Sequence, residues 1–200
     1  ARSLKSRFMG SLEDINYISV VFYYKENRDL HLINQADIIE PFKQIKSDLV
    51  KYALASLACE MMIRSQIEGH PNKSLFKLLL NYPYELCTVS EQSEIYFFWF
   101  QLNFLINNGF KPKIDKCLHC SKSYSLDETY YFSYARGGYV CQECDAEDIT
   151  KLEISGRSLK FLSELDDLNY IKSLSEPVPS NIVRETSLVL YRLMQYHVSG

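Results

Sequence analysis

Four of the six cysteines in this 200-residue chain fall into two matched pairs, "CLHC" at Cys117 and Cys120 and "CQEC" at Cys141 and Cys144. The spacing C-x2-C-x20-C-x2-C constrains folding more than any other feature, because thiolates on one metal ion would hold both turns at a single point. Each CxxC turn can aim two sulfurs at one centre, so two turns complete a tetrahedral shell. We read Cys117, Cys120, Cys141 and Cys144 as the ligands of a structural Zn2+. Four protein ligands leave no open position for water or substrate, so catalysis at the metal is not expected. The same ligand set would serve iron, and a redox role for the pairs is the third reading. Redox CxxC motifs usually open a helix in a βαβ setting, which neither pair has.

Compartment bears on the same choice. No run of roughly 18 apolar residues occurs, and the opening "ARSLKSRFMG" lacks the apolar centre of a signal peptide. The chain therefore reads as soluble and cytoplasmic, where disulfide stapling is disfavoured. A hydrophobic content of 46% with 14% aromatic residues suffices for a real core. Net charge is −3 and pI about 5.9, so any binding of nucleic acid must be local.

Along the chain, "INYISVVFYY" and the alternating "RDLHLINQADII" predict a β-hairpin, with Leu30, Leu32 and Ile38 on one side. A helix follows over residues 43–68, with Val50, Leu54, Leu57 and Met61 as its apolar stripe. A shorter helix is expected over 73–81, stopped near Pro83. Thr88 and Glu91 have capping-box spacing before the very apolar "IYFFWFQLNFLI", which Asn107, Asn108 and Gly109 should end. Residues 112–150 form the cysteine module, with "TYYFSY" as a strand and "RGG" as a turn. Ser155 is a cap for a helix reaching about residue 168. After Pro177 and Pro179, Ser180 should cap a last helix carrying Ile182, Leu188, Leu190, Leu193 and Met194.

Few other residues carry chemistry. Lys116, His119, Lys122 and Arg136 surround the cysteines, as charge compensation or as an ordinary solvated face. Gly137 and Gly138 suit a positive-φ turn, and Cys59 and Cys87 suit small buried hydrophobes. Tyr130, Tyr131, Phe132 and Tyr134 read either as a small core or as base-stacking faces. His31, His70 and His197 have no partner at ligand spacing. Asp166 with Asp167, and Asp145 with Glu147 and Asp148, read as solvated charge runs. No phosphate loop, nucleophile elbow or metalloprotease helix is present, and the chain is not expected to be an enzyme. Arg2, Lys5 and Arg7 place a local positive stripe on an extended segment, Lys5 and Arg7 on one side, as phosphate contact requires.

The order of basic segment, hairpin, long helix, aromatic helix ending in "NNGFKPKIDKCLHC", then "FSYARGGYVCQEC" and two closing helices resembles the bacterial RecO family of DNA repair and recombination mediators. The likeness runs over nearly the whole chain. It implies an α+β, mostly α, fold: a partial N-terminal OB-fold β-barrel at residues 1–40, then a helical domain at 41–200 with an inserted four-cysteine zinc module. It also implies that the first barrel strands precede Ala1 and that the C-terminus extends past Gly200. Implied partners are single- and double-stranded DNA, RecR and the C-terminal tail of single-stranded DNA-binding protein, with a functional link to RecA and action in the cytoplasm. In that family the basic strand corresponds to Arg2, Lys5 and Arg7, and zinc is a scaffold. The acidic net charge assigns much of the positive surface to RecR or to a preceding segment. A competing reading is a zinc-ribbon protein-interaction module of a transcription-associated complex, and a third is a metal-dependent or redox enzyme.

Overall fold

The computed structural model describes residues 8, 10–26, 30–66, 69–144 and 150–198. The predicted hairpin forms from β1 (Tyr17–Tyr23) and β2 (Leu32–Glu40), antiparallel, with Ile18 opposite Ile38 and Val20 opposite Ala36. Its expected apolar side is not covered: Leu30 is 88% and Leu32 70% exposed. Among the described residues this sheet has two strands and closes no barrel. Ile15 and Tyr17, at its base, pack on the helical core.

The long helix is broken in two, α1 (Lys43–Lys46) and α2 (Leu49–Ser65). Asp48 interrupts it in an extended conformation, and its carboxylate accepts from the N–H groups of Val50 and Lys51 at 2.9 and 3.1 Å. The expected stripe is also rotated. Ala55, Ala58 and Met62 face inward, while Val50 and Leu57 are exposed. That is one residue further along, a turn of about 100°. The alanines permit close helix approach, which bulkier Leu57 would block.

Helix α3 (Lys73–Thr88) starts at the Asn72 cap and runs straight through Pro83, contrary to the expected stop. A proline inside a helix forfeits an N–H and costs about 3 kcal/mol. Here Tyr82, Pro83 and Leu86 are all buried, and that burial offsets the loss. Helix α4 (Ser93–Asn107) is the hub: Phe97, Phe98, Trp99, Phe100, Leu102, Phe104 and Leu105 are buried, and α2, α3, α6 and α7 pack around it. Its N-cap is Gln92 and not Thr88. Gln92 adopts a left-handed conformation at φ 50, and its side chain bonds both the N–H and the carbonyl of Val178, at 2.7 and 2.9 Å. Gly109, at φ 89, ends the segment as expected.

Three strands then form an antiparallel sheet in the order β4-β3-β5: β3 (Thr129–Ser133), β4 (Gly138–Val140) and β5 (Lys151–Ser155). Strand β5 has only five residues and was not apparent in the sequence. Ser155 caps α5 (Gly156–Glu164), which ends earlier than expected, and Asp167 caps a separate α6 (Leu168–Ser173). Helix α7 (Ser180–His197) follows Pro179 without a side-chain cap from Ser180. It buries Thr186, Val189, Leu190 and Leu193, leaving Leu188 43% exposed. The fold is thus α+β, predominantly helical, with two small sheets among the described residues.

Candidate metal centre

The four predicted sulfurs converge. Those of Cys117, Cys120, Cys141 and Cys144 all lie within 4.8 Å of one another. Among the described residues no other cluster of three or more metal-ligating side chains does so.

Local backbone explains the convergence. In the first turn the Cys117 N–H donates to the Lys122 carbonyl at 2.9 Å and Ser121 N–H to the Cys117 carbonyl at 3.1 Å, with Ser121 at φ 61. The second turn is a single 3₁₀ turn, Gln142–Cys144, closed by Cys144 N–H on the Cys141 carbonyl at 3.0 Å. Leu118 N–H donates to the Tyr139 carbonyl at 2.9 Å, so the first turn is pinned directly to β4.

Gly137 supplies the expected positive φ of 63, whereas Gly138 serves a different purpose from the one expected. A Cβ there would meet the Lys113 carbonyl oxygen at 2.7 Å and the Leu118 side chain at 2.8 Å. The residue is glycine because another backbone lies against it.

Beneath the sulfurs, Tyr139 and Phe132 are fully buried and Tyr130 nearly so. Tyr139 stands edge-on to Tyr124 and Tyr130, and its hydroxyl donates to the Lys122 carbonyl at 2.6 Å. Burial, then the nearby Cys117 charge, push that phenol up to about 12. The core reading therefore holds for Tyr130 and Phe132, while Tyr131 and Tyr134 lie half-exposed.

The donor set suits a soft dication. A tetrahedral tetrathiolate with bonds of 2.3 Å has sulfurs about 3.8 Å apart; Cys120 and Cys141 stand at 3.6 Å, much too far for a disulfide. Burial alone would push the Cys117 thiol up, but N–H groups turned on its sulfur outweigh that and hold it at about 6. Two of these are Cys141 N–H at 3.4 Å and His119 N–H at 3.5 Å. Cys144 shifts the other way, to about 12, through hydrogen bonding to the Cys141 and Cys120 sulfurs. Burial raises Cys141 as well. Sulfurs this close cannot all be thiolates unaided, since each negative charge holds a proton on its neighbour; a cation removes that obstacle.

Two of the surrounding cations, Lys122 and Arg136, are engaged with other groups. Lys122 pairs with Glu143 at 2.6 Å, joining the two turns across a solvent-exposed surface. Arg136 donates to His119 Nε2 at 2.6 Å. Glu143 had no sequence signal beyond its charge, since its role depends on the folded turn. Arg2, Lys5 and Arg7 lie outside the described residues, as do Asp145, Glu147 and Asp148. Cys59 and Cys87 are half-buried, and burial raises both thiols. His31 stacks on Phe22, and His70 is exposed.

Three contacts tie the centre to the helices. Glu185 on α7 accepts from Ser155 N–H and Ser155 Oγ, both at 2.8 Å. His197 Nε2 lies 2.9 Å from the Tyr134 carbonyl. Gly156 N–H donates to the Glu128 carbonyl at 2.9 Å. No described helix is long and apolar enough to cross a membrane.

Residues 46–200 match the family profile described as Recombination protein O C terminal. Among curated relatives, the chain is 27% identical over 198 residues to the DNA repair protein RecO of Caldanaerobacter subterraneus subsp. tengcongensis, covering 99% of this chain and 78% of that one. It is 25% identical over 195 residues to RecO of Acetivibrio thermocellus, covering 98% and 76%. Over a shorter stretch of 149 residues, it is 32% identical to RecO of Desulfatibacillum aliphaticivorans, covering 72% and 57%. With a profile match over most of its length, and the four cysteines and helical hub within that match, the chain belongs to the RecO family of DNA repair proteins.

Proposed function

We propose that the chain is a non-enzymatic mediator of DNA repair and homologous recombination in the bacterial cytoplasm. It binds single- and double-stranded DNA and anneals complementary strands. With RecR, it helps RecA load onto DNA coated by single-stranded DNA-binding protein. The observation that carries this reading is the family match over residues 46–200. Residues 1–40 are read as part of an OB fold and 41–200 as the helical domain, with the metal module at about 112–150.

Zn2+ held by Cys117, Cys120, Cys141 and Cys144 is the reading favoured by the sulfur spacing and by the opposed proton affinities of Cys117 and Cys144. When bound, the ion supplies the positive charge that lets all four thiolates coexist. This chain's own residues do the rest: the turns orient the sulfurs and the Tyr139 core excludes water behind them. We assign the tail of single-stranded DNA-binding protein to the groove of about 610 Å³ between α4 and α7, where Leu54, Val183 and Tyr191 lie over the buried Phe97 and Phe98, and Arg184 and Glu94 are the charged lining groups.

The test is strand annealing and DNA binding by the full chain with Arg2, Lys5 and Arg7 replaced by Ala. Each lost phosphate contact should lower the slope of log affinity against log salt by about 0.7 on single strands, whatever their sequence. Unchanged slope and annealing in a folded triple variant would remove these residues from the DNA surface. A parent protein that binds no DNA at low salt would sink the mediator reading.

A further inference from the structure

The C-terminal end of α7 meets the β3–β4 turn in a run of rings. Phe110 packs on His197 at 4.5 Å between centroids, His197 meets Tyr196 at 5.0 Å, and Tyr196 meets Tyr134 at 6.0 Å. The Arg192 guanidinium lies 6.0 Å from the Tyr134 ring. These rings keep open surface: Phe110 is 40% and Tyr196 53% exposed.

Two further cations sit on the segments that carry these rings, the Arg136 guanidinium being turned to His119 Nε2 at 2.6 Å. Lys113 N–H donates to the Gly137 carbonyl at 2.7 Å, which sets Lys113 beside the turn that carries Arg136. Among the described residues, Lys113, Arg136 and Arg192 pair with no carboxylate. Flat faces flanked by uncompensated positive charge are the combination that holds unpaired bases and their phosphates.

We propose that the run from Phe110 through His197, Tyr196 and Tyr134 to Arg192 is a base-stacking surface for single-stranded nucleic acid, with Lys113 and Arg136 taking phosphates. The inference rests on the DNA-binding reading above and adds a second contact, remote in sequence from Arg2, Lys5 and Arg7.

The test uses the full chain with bound metal and compares a thymine oligonucleotide with an abasic strand of equal length, which keeps the phosphates and lacks the bases. The parent should bind the thymine strand more tightly. Tyr196→Ala with Phe110→Ala should lose about tenfold or more on the thymine strand and little on the abasic one. Tyr196→Phe, which keeps the ring, should behave as the parent. Lys113→Gln with Arg136→Gln should weaken both strands equally and lower the salt slope. Circular dichroism and retained metal would report an intact fold, and the half-exposed Tyr196→Ala alone provides the same comparison should the double variant unfold. A parent that binds DNA without distinguishing the two strands, or a Tyr196→Ala variant that keeps the parental preference, would overturn this surface and leave the mediator reading standing. A preference lost only in competition with an acidic peptide would reassign it to a protein partner. Absence of any DNA binding by the parent would remove both readings.

Discussion

Gly156 is the position where a single methyl group should do the most damage. A Cβ built there would lie 1.8 Å from the Ser125 carbonyl oxygen and 2.8 Å from its carbon, with Leu126 Cα at 3.0 Å. All three atoms are backbone, so no rotamer change relieves the clash. Moving the first clash from 1.8 Å to the 3.4 Å of ordinary contact requires a displacement of 1.6 Å. A shift of that size breaks the Gly156 N–H bond to Glu128 and disturbs the Ser155 cap on Ser158 N–H at 3.3 Å. Overpacking costs about 1–3 kcal/mol and a lost hydrogen bond about 1 kcal/mol more, so Gly156→Ala should destabilise by about 2–4 kcal/mol. Urea unfolding followed by the single Trp99, buried in the helical core, reads the loss of stability. Gly69→Ala is the control: nothing lies within 4 Å of its Cβ, and only its φ of 79 opposes the change, at about 1 kcal/mol. A Gly156→Ala protein within about 0.5 kcal/mol of its parent would refute the close approach of α5 to residues 125–128, and with it the seating of the module on the helices.

Other outcomes can be checked alongside. Cys141→Ser should release bound metal and loosen the module, read by metal content and by proteolysis near residue 130; full metal retention would contradict the four-sulfur site. Hydrogen bonds from Ser155 and Ser158 outweigh burial and hold the Glu185 carboxylate below its ordinary value of 4.5. Its contribution is therefore fully present above pH 4.5 and lost as pH falls through the lower folded value; Glu185→Gln should flatten that acid limb of the stability curve. On α2, exposed Leu57→Ser should change stability by less than about 0.5 kcal/mol, whereas Ala58→Leu, on the buried face, should cost about 1–3 kcal/mol. The reverse order would restore the stripe expected from sequence.

Much of the plan could be read in the chain because it rests on local chemistry. The CxxC turns, the hairpin, the aromatic helix with its Asn-Asn-Gly stop and the Ser155 cap each involve residues within a few positions of one another. The errors share a cause. Helix α3 was expected to stop at Pro83 and continues, because Tyr82 and Leu86 gain more from burial against α4 than the proline loses. The α2 stripe was assigned to the larger side chains, yet the face turned inward is the one whose alanines let neighbours approach. Thr88 had the spacing of a cap, but the helix begins where Gln92 finds a partner at Val178, 86 residues away.

By itself the sequence picked out the four cysteines that converge as a candidate metal site, because such a site depends on residue type and short spacing, and it pointed to the family and the helical class. Only the tertiary structure decided how these parts are joined. Strand β5, "KLEIS", is as long as β3 but lacks its run of aromatic residues, and it forms where β3 offers it a ladder of hydrogen bonds. Gly138 and Gly156 are glycines because distant backbone segments pass within contact of them. Tyr130 and Phe132 turn inward while Tyr131 between them stays half-exposed, since alternation along a strand becomes inside and outside only once one face is covered; Tyr134, past the end of β3, lies outside that pattern.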